Sequence, residues 1–265
     1  MASEFSTIIR SLIASTPSGE IKDVYKDLVT ITGENSGDTI LDAIAQYNVA
    51  NFIPVRVGDK SVIISNYNKE GSKFFDPATS QLFSVDHLER RAFDVGPSEK
   101  KLDSTSESIY KDLRNYTSNT FPGDVSYALY PKGDSSREIV IALVSTKYSP
   151  GNFWNGHWRS VYHYNTETSQ LKGTIDIDVH YYEDGNVSFV CTKDVENESA
   201  HDVVLAIKTL EGKLEEELRA SFNNLNEKEF KLLRRRLPVT RSRINWGKGI
   251  GSYRLGKDSA ENQFR

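Results

Sequence analysis

One segment between residues 171 and 195 constrains the fold of this chain more than any other. Apolar and polar side chains alternate along LKGTIDIDVHYY, which predicts a strand with one apolar and one polar face. The dipeptide Asp184-Gly185 follows and favours a two-residue hairpin turn, because both turn positions need a positive φ. The run NVSFVCTKDV then returns antiparallel. The sequence therefore predicts an antiparallel meander.

Neighbouring runs extend this meander. VSYALY, IVIALVS and NFWNGHWRSVYHYN predict three preceding strands, the second of them buried on both faces. After the meander, apolar residues recur at three- and four-residue steps from about residue 199 to 226, which predicts one long helix across the apolar face. A sheet of about five strands under one helix keeps two open edges, so we expect a partner chain at an edge.

The first fifty residues predict three short amphipathic helices. In the first helix, an apolar stripe that needs neighbours comprises Phe5, Ile8, Ile9, Leu12 and Ile13. Thr16-Pro17 offers a cap and a first-turn proline for the second helix, and Gly33 is expected to end it. Asp38 is expected to cap the third helix.

From Phe52 onward the period of the apolar residues changes to that of strands. Hairpins are predicted around Gly58-Asp59 and between residues 77 and 80. The polar segment 94–106, which contains Gly and Pro, is expected to be a linker before a helix over residues 107–119. The chain is thus predicted to be an α+β protein with a small β module between its first helices and its larger sheet.

Charge is divided unevenly along the chain. Residues 228–265 carry 11 Lys and Arg against 3 Asp and Glu, a net charge of +8, whereas residues 1–227 carry a net charge of −12. Such a tail predicts an anionic partner whose association slows as salt rises. From spacing alone, the run Arg234-Arg235-Arg236 has three interpretations: a solvated helix face, a membrane or nucleic-acid patch, or a protein-binding site.

The cysteine content and the amino terminus predict an intracellular protein. The single cysteine, Cys191, cannot form an internal disulfide, and the first residues lack both the basic start and the long apolar run of a secretory signal. No stretch approaches the ~20 apolar residues that a membrane span requires. We therefore expect the cytosol or the nucleus.

The sequence gives little support for catalysis or metal binding. Asp176, Asp178 and His180 share a strand face with His163 in reach, but any half-solvated strand produces such alternation. Cys191 is interpreted as a small buried thiol rather than a nucleophile paired with one of these histidines. No phosphate loop, G-x-S-x-G or H-E-x-x-H motif occurs. We expect a protein that is not an enzyme and needs no cofactor or metal.

The aromatic residues around Trp154 and Trp158 have two interpretations. They could stack on nucleic-acid bases, but sheet cores use aromatic side chains more often, and the acidic body would repel phosphate. We expect them in the core or at a subunit interface.

Four separated motifs resemble the alpha subunit family of F-actin capping protein. They are FPGDVSYALYP at 121–131, NFWNGHWRS at 152–160, VHYYEDGNV at 179–187 and LRRRLPVTRSRINW at 233–246, in the order and spacing of the family. The resemblance covers nearly the full length. It implies a heterodimer with a similar beta subunit around a pseudo-twofold axis, and binding to the barbed, fast-growing end of actin filaments. Subunit addition and loss would both be blocked, independently of calcium.

The resemblance also implies how the chain is divided. Residues 1–50 would form a helical stalk, and residues 51–106 the small β module and linker. Residues 107–227 would hold a helix, the antiparallel sheet and the long covering helix. Residues 228–265 would be a basic amphipathic tentacle that binds actin. A cortical, cytoskeletal location in the cytoplasm follows, with phosphoinositides and capping regulators as further partners.

Carried onto matching positions, the family's actin-binding basic residues would be Lys231, Arg235 and Arg241, supported by Arg234, Arg236 and Arg243. An apolar stripe of Trp246, Ile250 and Tyr253 stands at helical spacing beside them. Glycines interrupt this stripe, and each costs about 1 kcal/mol of helix stability, so the segment is expected to be poorly helical until bound. The alternative function is a regulator that binds anionic lipid or nucleic acid through the same tail.

Overall fold

A computed structural model describes residues 2–17, 19–33, 36–121, 124–132, 137–183 and 186–224, with side chains from residue 4 onward. The chain divides into two compact units, Met1–Lys213 and Leu214–Arg265. Both sheets lie in the first unit. The fold is mixed α+β, as the sequence predicts.

The amino-terminal segment forms three helices, α1 (Ala2–Ala14), α2 (Ile21–Thr32) and α3 (Gly37–Ala50). They share one apolar core, whose fully buried members include Ile9, Ile13, Ile21, Ile40 and Ile44. Gly33 ends α2 as predicted, with a φ of 84° that favours glycine. The three predicted helices are therefore present, and each buries part of its apolar stripe against the others.

The predicted starts of α2 and α3 were wrong by a few residues. Glu20, rather than Thr16-Pro17, stands at the amino-terminal cap of α2. The chain first passes Gly19, whose φ is +93° and whose added Cβ would lie 2.6 Å from the Tyr148 ring. This close approach to the large sheet delays the helix. Ser36 precedes α3, so Asp38 lies in its first turn instead of at its cap.

A six-stranded sheet follows, in the order β2-β1-β6-β5-β4-β3. Its strands are β1 (Pro54–Val57), β2 (Lys60–Ile63), β3 (Lys69–Glu70), β4 (Lys73–Asp76), β5 (Gln81–Asp86) and β6 (Arg91–Pro97). Both predicted hairpins are confirmed by the pairs Val57 with Lys60 and Asp76 with Gln81. The strands β1 and β6 pair in parallel through Arg56 and Arg91.

The segment 94–106 is mostly not the linker that was predicted. Residues through Pro97 belong to β6, and helix α4 already begins at Ser104 and runs to Thr120. The side chain of Asp103 caps α4 by accepting a hydrogen bond of 2.8 Å from the Ser106 backbone N–H. Only the short connection between Pro97 and Asp103 remains as a linker.

The meander prediction is confirmed as a five-stranded antiparallel sheet in the order β11-β10-β9-β8-β7. Its strands are β7 (Asp124–Lys132), β8 (Glu138–Ser149), β9 (Trp154–Asn165), β10 (Gln170–Tyr181) and β11 (Val187–Asn197). The predicted Asp184-Gly185 turn between the last two strands lies outside the described residues. Strand β8 is buried on both faces from Ile139 to Val144, as its apolar run predicts.

Among the described residues, two helices rather than one contact the apolar face of this sheet. Helix α5 runs over Val203–Asn224, and within the first unit its Glu211 reaches Ser160 and Tyr162 of β9. Helix α4 lies on the same face, because the ring of its Tyr110 is 5.0 Å from that of Tyr127 on β7. The predicted contact of the long helix with the apolar face is thus confirmed for its part in the first unit, while the contact of α4 was not foreseen.

The opposite face of the five-stranded sheet contacts the small β module and the helical bundle. Tyr130 of β7 donates a hydrogen bond of 2.9 Å to the Ile63 carbonyl of β2. Arg159 of β9 donates one of 2.9 Å to the Ala50 carbonyl at the end of α3. The predicted polar face of β10 therefore meets other parts of the first unit, and is only partly solvated.

Candidate partner-binding surface

The residues predicted to bind actin are not placed by the structure. All nine positions, from Lys231 to Tyr253, lie outside the described residues. Their grouping on one surface therefore stays a prediction. The described body offers other surfaces, and two of them have the properties of contact sites for another protein.

The first surface is the outer edge of β11. This eleven-residue strand pairs with β10 along its whole length, from Val187 opposite Tyr181 to Asn197 opposite Leu171. Within the described residues, no strand pairs with its other side. Alternate residues of such an edge direct backbone N–H and C=O groups outward, where another strand can bind them. Val187 and Val190 are 59% and 69% exposed on this strand.

The second surface is an apolar stripe on α1. The bundle core buries Ile9 and Ile13 but leaves Ile8 58% exposed and Leu12 47% exposed. These two side chains stand one helical turn apart and form a continuous stripe. The sequence already shows this feature, since the apolar residues of α1 cover more of its circumference than one bundle face needs.

A polar network joins the helical bundle to the sheet close to the β11 edge. The Arg159 guanidinium contacts Asp176 Oδ2 at 2.6 Å through Nη2, and donates from Nη1 to the Ala50 carbonyl and Asn51 Oδ1. The hydroxyl of Thr192 on β11 donates to Asp176 Oδ1 at 2.7 Å. One carboxylate therefore links the edge strand, through the arginine, to the end of α3.

The contacts of this network determine whether the residues considered as metal ligands are available to bind a metal ion. The carboxylate of Asp176 is occupied by an ion pair with Arg159 and a hydrogen bond from Thr192, and so is not free to bind a metal ion. His180 lies between Glu20 Oε1 and Asn186 Oδ1, each 2.7 Å from a ring nitrogen. Among the described residues, no group of three or more His, Cys, Asp or Glu side chains is placed to hold a metal ion.

The pKa values of His157 and His180, which lie on this face, are shifted in opposite directions. Burial lowers the pKa of His157 to about 4, and the nearby guanidinium groups of Arg159 and Arg90 add to this effect. Burial alone would also lower the pKa of His180, but hydrogen bonds with Glu20 and Asn186 raise it above its ordinary value. His157 is therefore neutral at pH 7.

Cys191 is not the buried thiol that was predicted. It is free and half-buried, because β11 is an edge strand. It pairs with Ile177 in the β10 register, while His180 pairs with Ser188 and points to the opposite face. His163 lies further along, opposite Lys172. The structure brings neither histidine to the thiol.

The two tryptophans of β9 are half-buried, consistent with a structural role. The Lys147 ammonium lies 5.3 Å from the ring centroid of Trp154. Gly156 leaves room beside that ring, since an added Cβ would lie 3.3 Å from Trp154 Cζ3. Among the described residues, Trp158 Nε1 is buried and has no hydrogen-bond acceptor.

The sequence did not reveal the roles of Arg159 and Glu20, which connect the amino-terminal segment to the five-stranded sheet. Arg159 stands inside the motif NFWNGHWRS, which was interpreted through its aromatic residues. Its position directly opposite Asp176 in the β9–β10 register was a usable signal once the hairpin was predicted. Glu20 carries no such signal, because its partner His180 is 160 residues away in sequence.

An open sheet edge with exposed valines, together with an exposed apolar helix stripe, defines a protein of the class that associates with other proteins. The model of the F-actin capping protein alpha subunit family matches residues 9–258, and the chain belongs to this family. No helix among the described residues is long and apolar enough to cross a membrane.

Similar proteins agree with this assignment over the full length. The chain is 53% identical over 263 residues to the F-actin-capping protein subunit alpha of Candida glabrata, covering 99% of this chain and 100% of the relative. It is 54% identical over 266 residues to the corresponding subunit of Saccharomyces cerevisiae, covering 99% of each. A solved structure of homodimeric actin capping protein alpha subunit from Plasmodium berghei has the same fold, with a TM-score of 0.74 at 24% identity, covering 91% of this chain and 99% of that one.

Proposed function

We propose that this chain is the alpha subunit of a heterodimer that binds the barbed end of actin filaments and blocks the addition and loss of subunits. The observation that carries this proposal is the identity of more than half of the aligned residues to two fungal capping-protein alpha subunits, over 99% of this chain. The protein acts by binding, independently of calcium, and needs no cofactor of its own. It works in the cytoplasm at cortical actin structures.

The heterodimer partner is a beta subunit of similar fold. The outer edge of β11 is its proposed site on the sheet, because an edge strand with outward backbone groups can continue into a second sheet. The exposed stripe of Ile8 and Leu12 is its proposed site on the bundle, because apolar side chains gain about 25 cal/mol per Å² when they are buried. Together these contacts give a rigid platform for the tail.

Actin is bound by the basic segment 228–265. Lys231, Arg235 and Arg241 face acidic surfaces of the terminal actin subunits, and Arg234, Arg236 and Arg243 support them. Each exposed pair contributes about 0–1 kcal/mol, so the cluster acts through its combined charge and its geometry. The stripe of Trp246, Ile250 and Tyr253 then buries apolar area on actin. The next actin subunit is excluded because its site is occupied.

The decisive experiment measures elongation from filament seeds in the presence of the coexpressed heterodimer. We compare the wild type with Lys231, Arg235 and Arg241 jointly replaced by alanine. A matched control replaces Lys248, Arg254 and Lys257, which removes the same charge from the same tail outside the predicted cluster. Capping should weaken strongly in the first variant and much less in the control. Continued elongation at saturating wild-type heterodimer would refute the proposal.

The net charge of +8 on residues 228–265 favours a second function, binding to anionic lipid or nucleic acid. Phosphoinositides could act on the same cluster as regulators, along with protein regulators of capping. To distinguish these functions, we measure binding of the heterodimer to vesicles containing phosphatidylinositol bisphosphate and to single-stranded DNA. If the wild type binds neither at moderate salt yet caps seeds, the tail serves actin.

A further inference from the structure

Strand β6 has a free edge over most of its length. It pairs with β5 from Arg91 to Pro97 with one shift of register, but with β1 only where Arg56 lies opposite Arg91. Beyond that point, no strand among the described residues pairs with the β1 side of β6. Alternate residues of such an edge direct backbone N–H and C=O groups outward. Side chains along the same stretch are uncovered, since Phe93 and Val95 are 56% and 47% exposed.

The two arginines at the start of this edge are an unfavourable pair for the fold itself. Arg56 and Arg91 are exposed and stand directly opposite each other, on strands that lie about 4.8 Å apart. Like charges in this position destabilise a sheet. Arg90 is half-buried and adds a third positive charge, and its carbonyl accepts a hydrogen bond of 2.9 Å from the Arg56 N–H. A local conflict of this kind is expected where the residues serve a ligand.

The acidic side chains nearest in sequence do not neutralise these arginines. Asp86 stands opposite Arg91 in the β5 register, but its Oδ1 accepts two hydrogen bonds, of 3.1 and 3.0 Å, from backbone N–H groups of the following turn. Glu89 and Asp94 each form an ion pair with a lysine, at 2.8 and 2.6 Å. Within the described part of the chain, none of the three guanidinium groups forms an ion pair or a hydrogen bond.

The chemistry of the edge and of the arginines defines the class of ligand. Guanidinium groups bind carboxylates through paired hydrogen bonds, so the arginines favour an acidic ligand. The free edge favours an extended peptide, because a polypeptide backbone offers the matching donors and acceptors. Gly96 leaves room for it, since an added Cβ would meet no atom within 4 Å. The net charge of −12 on residues 1–227 repels a broad anionic membrane, whereas a single strand contacts the patch alone.

We propose that β6 binds an extended acidic segment of a partner protein by strand addition. The segment pairs with the free edge from Ala92 to Pro97. Its carboxylates contact Arg56 and Arg91, and its apolar side chains pack on Phe93. This surface belongs to the small β module and involves neither the β11 edge nor the predicted actin-binding segment, so it adds a partner to those already proposed.

The test measures binding of a fluorescent peptide of alternating Glu and Val to the coexpressed heterodimer by anisotropy. About eight residues span β6 at the rise of a strand. The joint change Arg56→Gln and Arg91→Gln should weaken binding about tenfold, because two charge-assisted contacts are lost. A matched control, Lys111→Gln with Arg114→Gln, removes two exposed charges from α4 and should weaken it by less than about twofold. Equal dissociation constants for the wild type and the first variant would overturn the inference, as would absence of binding to the wild type.

Two further probes test strand addition and the alternative ligand. The same peptide with every internal backbone amide N-methylated keeps its charges but cannot donate backbone hydrogen bonds, so it should not bind; equal binding would mean that charge alone is recognised and would contradict strand addition. Vesicles containing phosphatidylinositol bisphosphate serve as the second probe. If Arg56→Gln with Arg91→Gln abolishes vesicle binding while the acidic peptide binds no variant, the patch recognises lipid and the peptide inference is wrong.

Thermal unfolding separates a binding role of the arginines from a structural one. Because Arg56 and Arg91 repel each other, the joint glutamine variant should melt at the wild-type temperature or slightly above it. A clear decrease would show that the arginines stabilise the fold, and would count against a role in binding. Peptide binding is measured without actin, so its outcome is independent of whether the heterodimer caps filaments.

Discussion

Gly173 on β10 lies where the sheet has no room for a side chain. An added Cβ would be 2.4 Å from Tyr162 Cδ1 and 2.6 Å from the Val161 carbonyl oxygen. Neither atom can withdraw easily, because Gly173 pairs directly with Tyr162 in the sheet and that tyrosine is bound to Glu211. Overpacking of this kind costs about 1–3 kcal/mol, and contact with backbone favours the upper end.

The substitution Gly173→Ala should therefore destabilise the protein by about 2–3 kcal/mol. For a chain of this size the melting temperature falls by about 2–4 °C for each kcal/mol, so we expect a decrease of about 5–10 °C. The assay is thermal unfolding of the coexpressed heterodimer, followed by circular dichroism at one protein concentration.

Gly212 provides a control with the same chemical change and the opposite expected sign. It lies inside α5, and an added Cβ would meet no atom within 4 Å. Alanine is preferred to glycine there by about 1 kcal/mol, so Gly212→Ala should raise the melting temperature slightly. If Gly173→Ala melts at or above the wild-type temperature, Tyr162 does not pack across β10 as described.

Three further predictions concern other parts of the fold. Arg159→Met removes the ion pair with Asp176 and the bond to the Ala50 carbonyl, and should cost about 2 kcal/mol in urea unfolding; a smaller loss in the Asp176→Asn background would confirm that the two act together. His157 has a folded pKa of about 4 against an ordinary 6.5, so acidification protonates the unfolded chain first and stability falls as pH drops from 6.5 to 4. The loss should approach about 3 kcal/mol, and His157→Leu should flatten this part of the pH profile; an unaltered profile contradicts the assignment. Finally, the chain expressed without a beta subunit should aggregate or melt early, because the β11 edge and the α1 stripe lack cover; a soluble, stable monomer in gel filtration and light scattering would contradict this.

The elements that the sequence predicts well are those whose signal is local. The alternation along β10 and the continuous apolar run of β8 follow directly from which faces these strands bury. Gly33 ends α2 because its own φ is positive, so no distant residue is needed to place that boundary. Turn residues and period changes likewise placed the hairpins of the small sheet.

Strand β6 shows why the segment 94–106 was wrongly predicted to be a linker. Gly96 and Pro97 are typical of a loop, yet proline is tolerated in a strand whose N–H is not needed for pairing. Along β6 only Arg91 pairs with β1, so the later residues have a neighbour on the β5 side alone. This tolerance depends on the order of strands in the sheet, which local sequence does not encode.

The candidate binding surface likewise has a part that the sequence predicted and parts that it did not. The partner edge was expected from the number of strands, and the structure has a strand there that is paired on one side within its described residues. The hydrogen bonds that Glu211 accepts from Tyr162, Ser160 and Tyr116 had no sequence signal, since these partners stand 49, 51 and 95 residues away and a glutamate in a helix is usually solvated. The nine tail residues remain predictions, because they lie outside the described part of the chain.

The bond from Arg159 to the last carbonyl of α3 has a consequence for synthesis on the ribosome. The buried residues of the three-helix core all lie between Ile9 and Ile53, so these helices can collapse while most of the chain is still untranslated. Their attachment to the sheet must wait for a side chain 109 residues later. During that interval the nascent bundle exposes the surface that the sheet will cover, and we expect it to be a substrate for ribosome-associated chaperones.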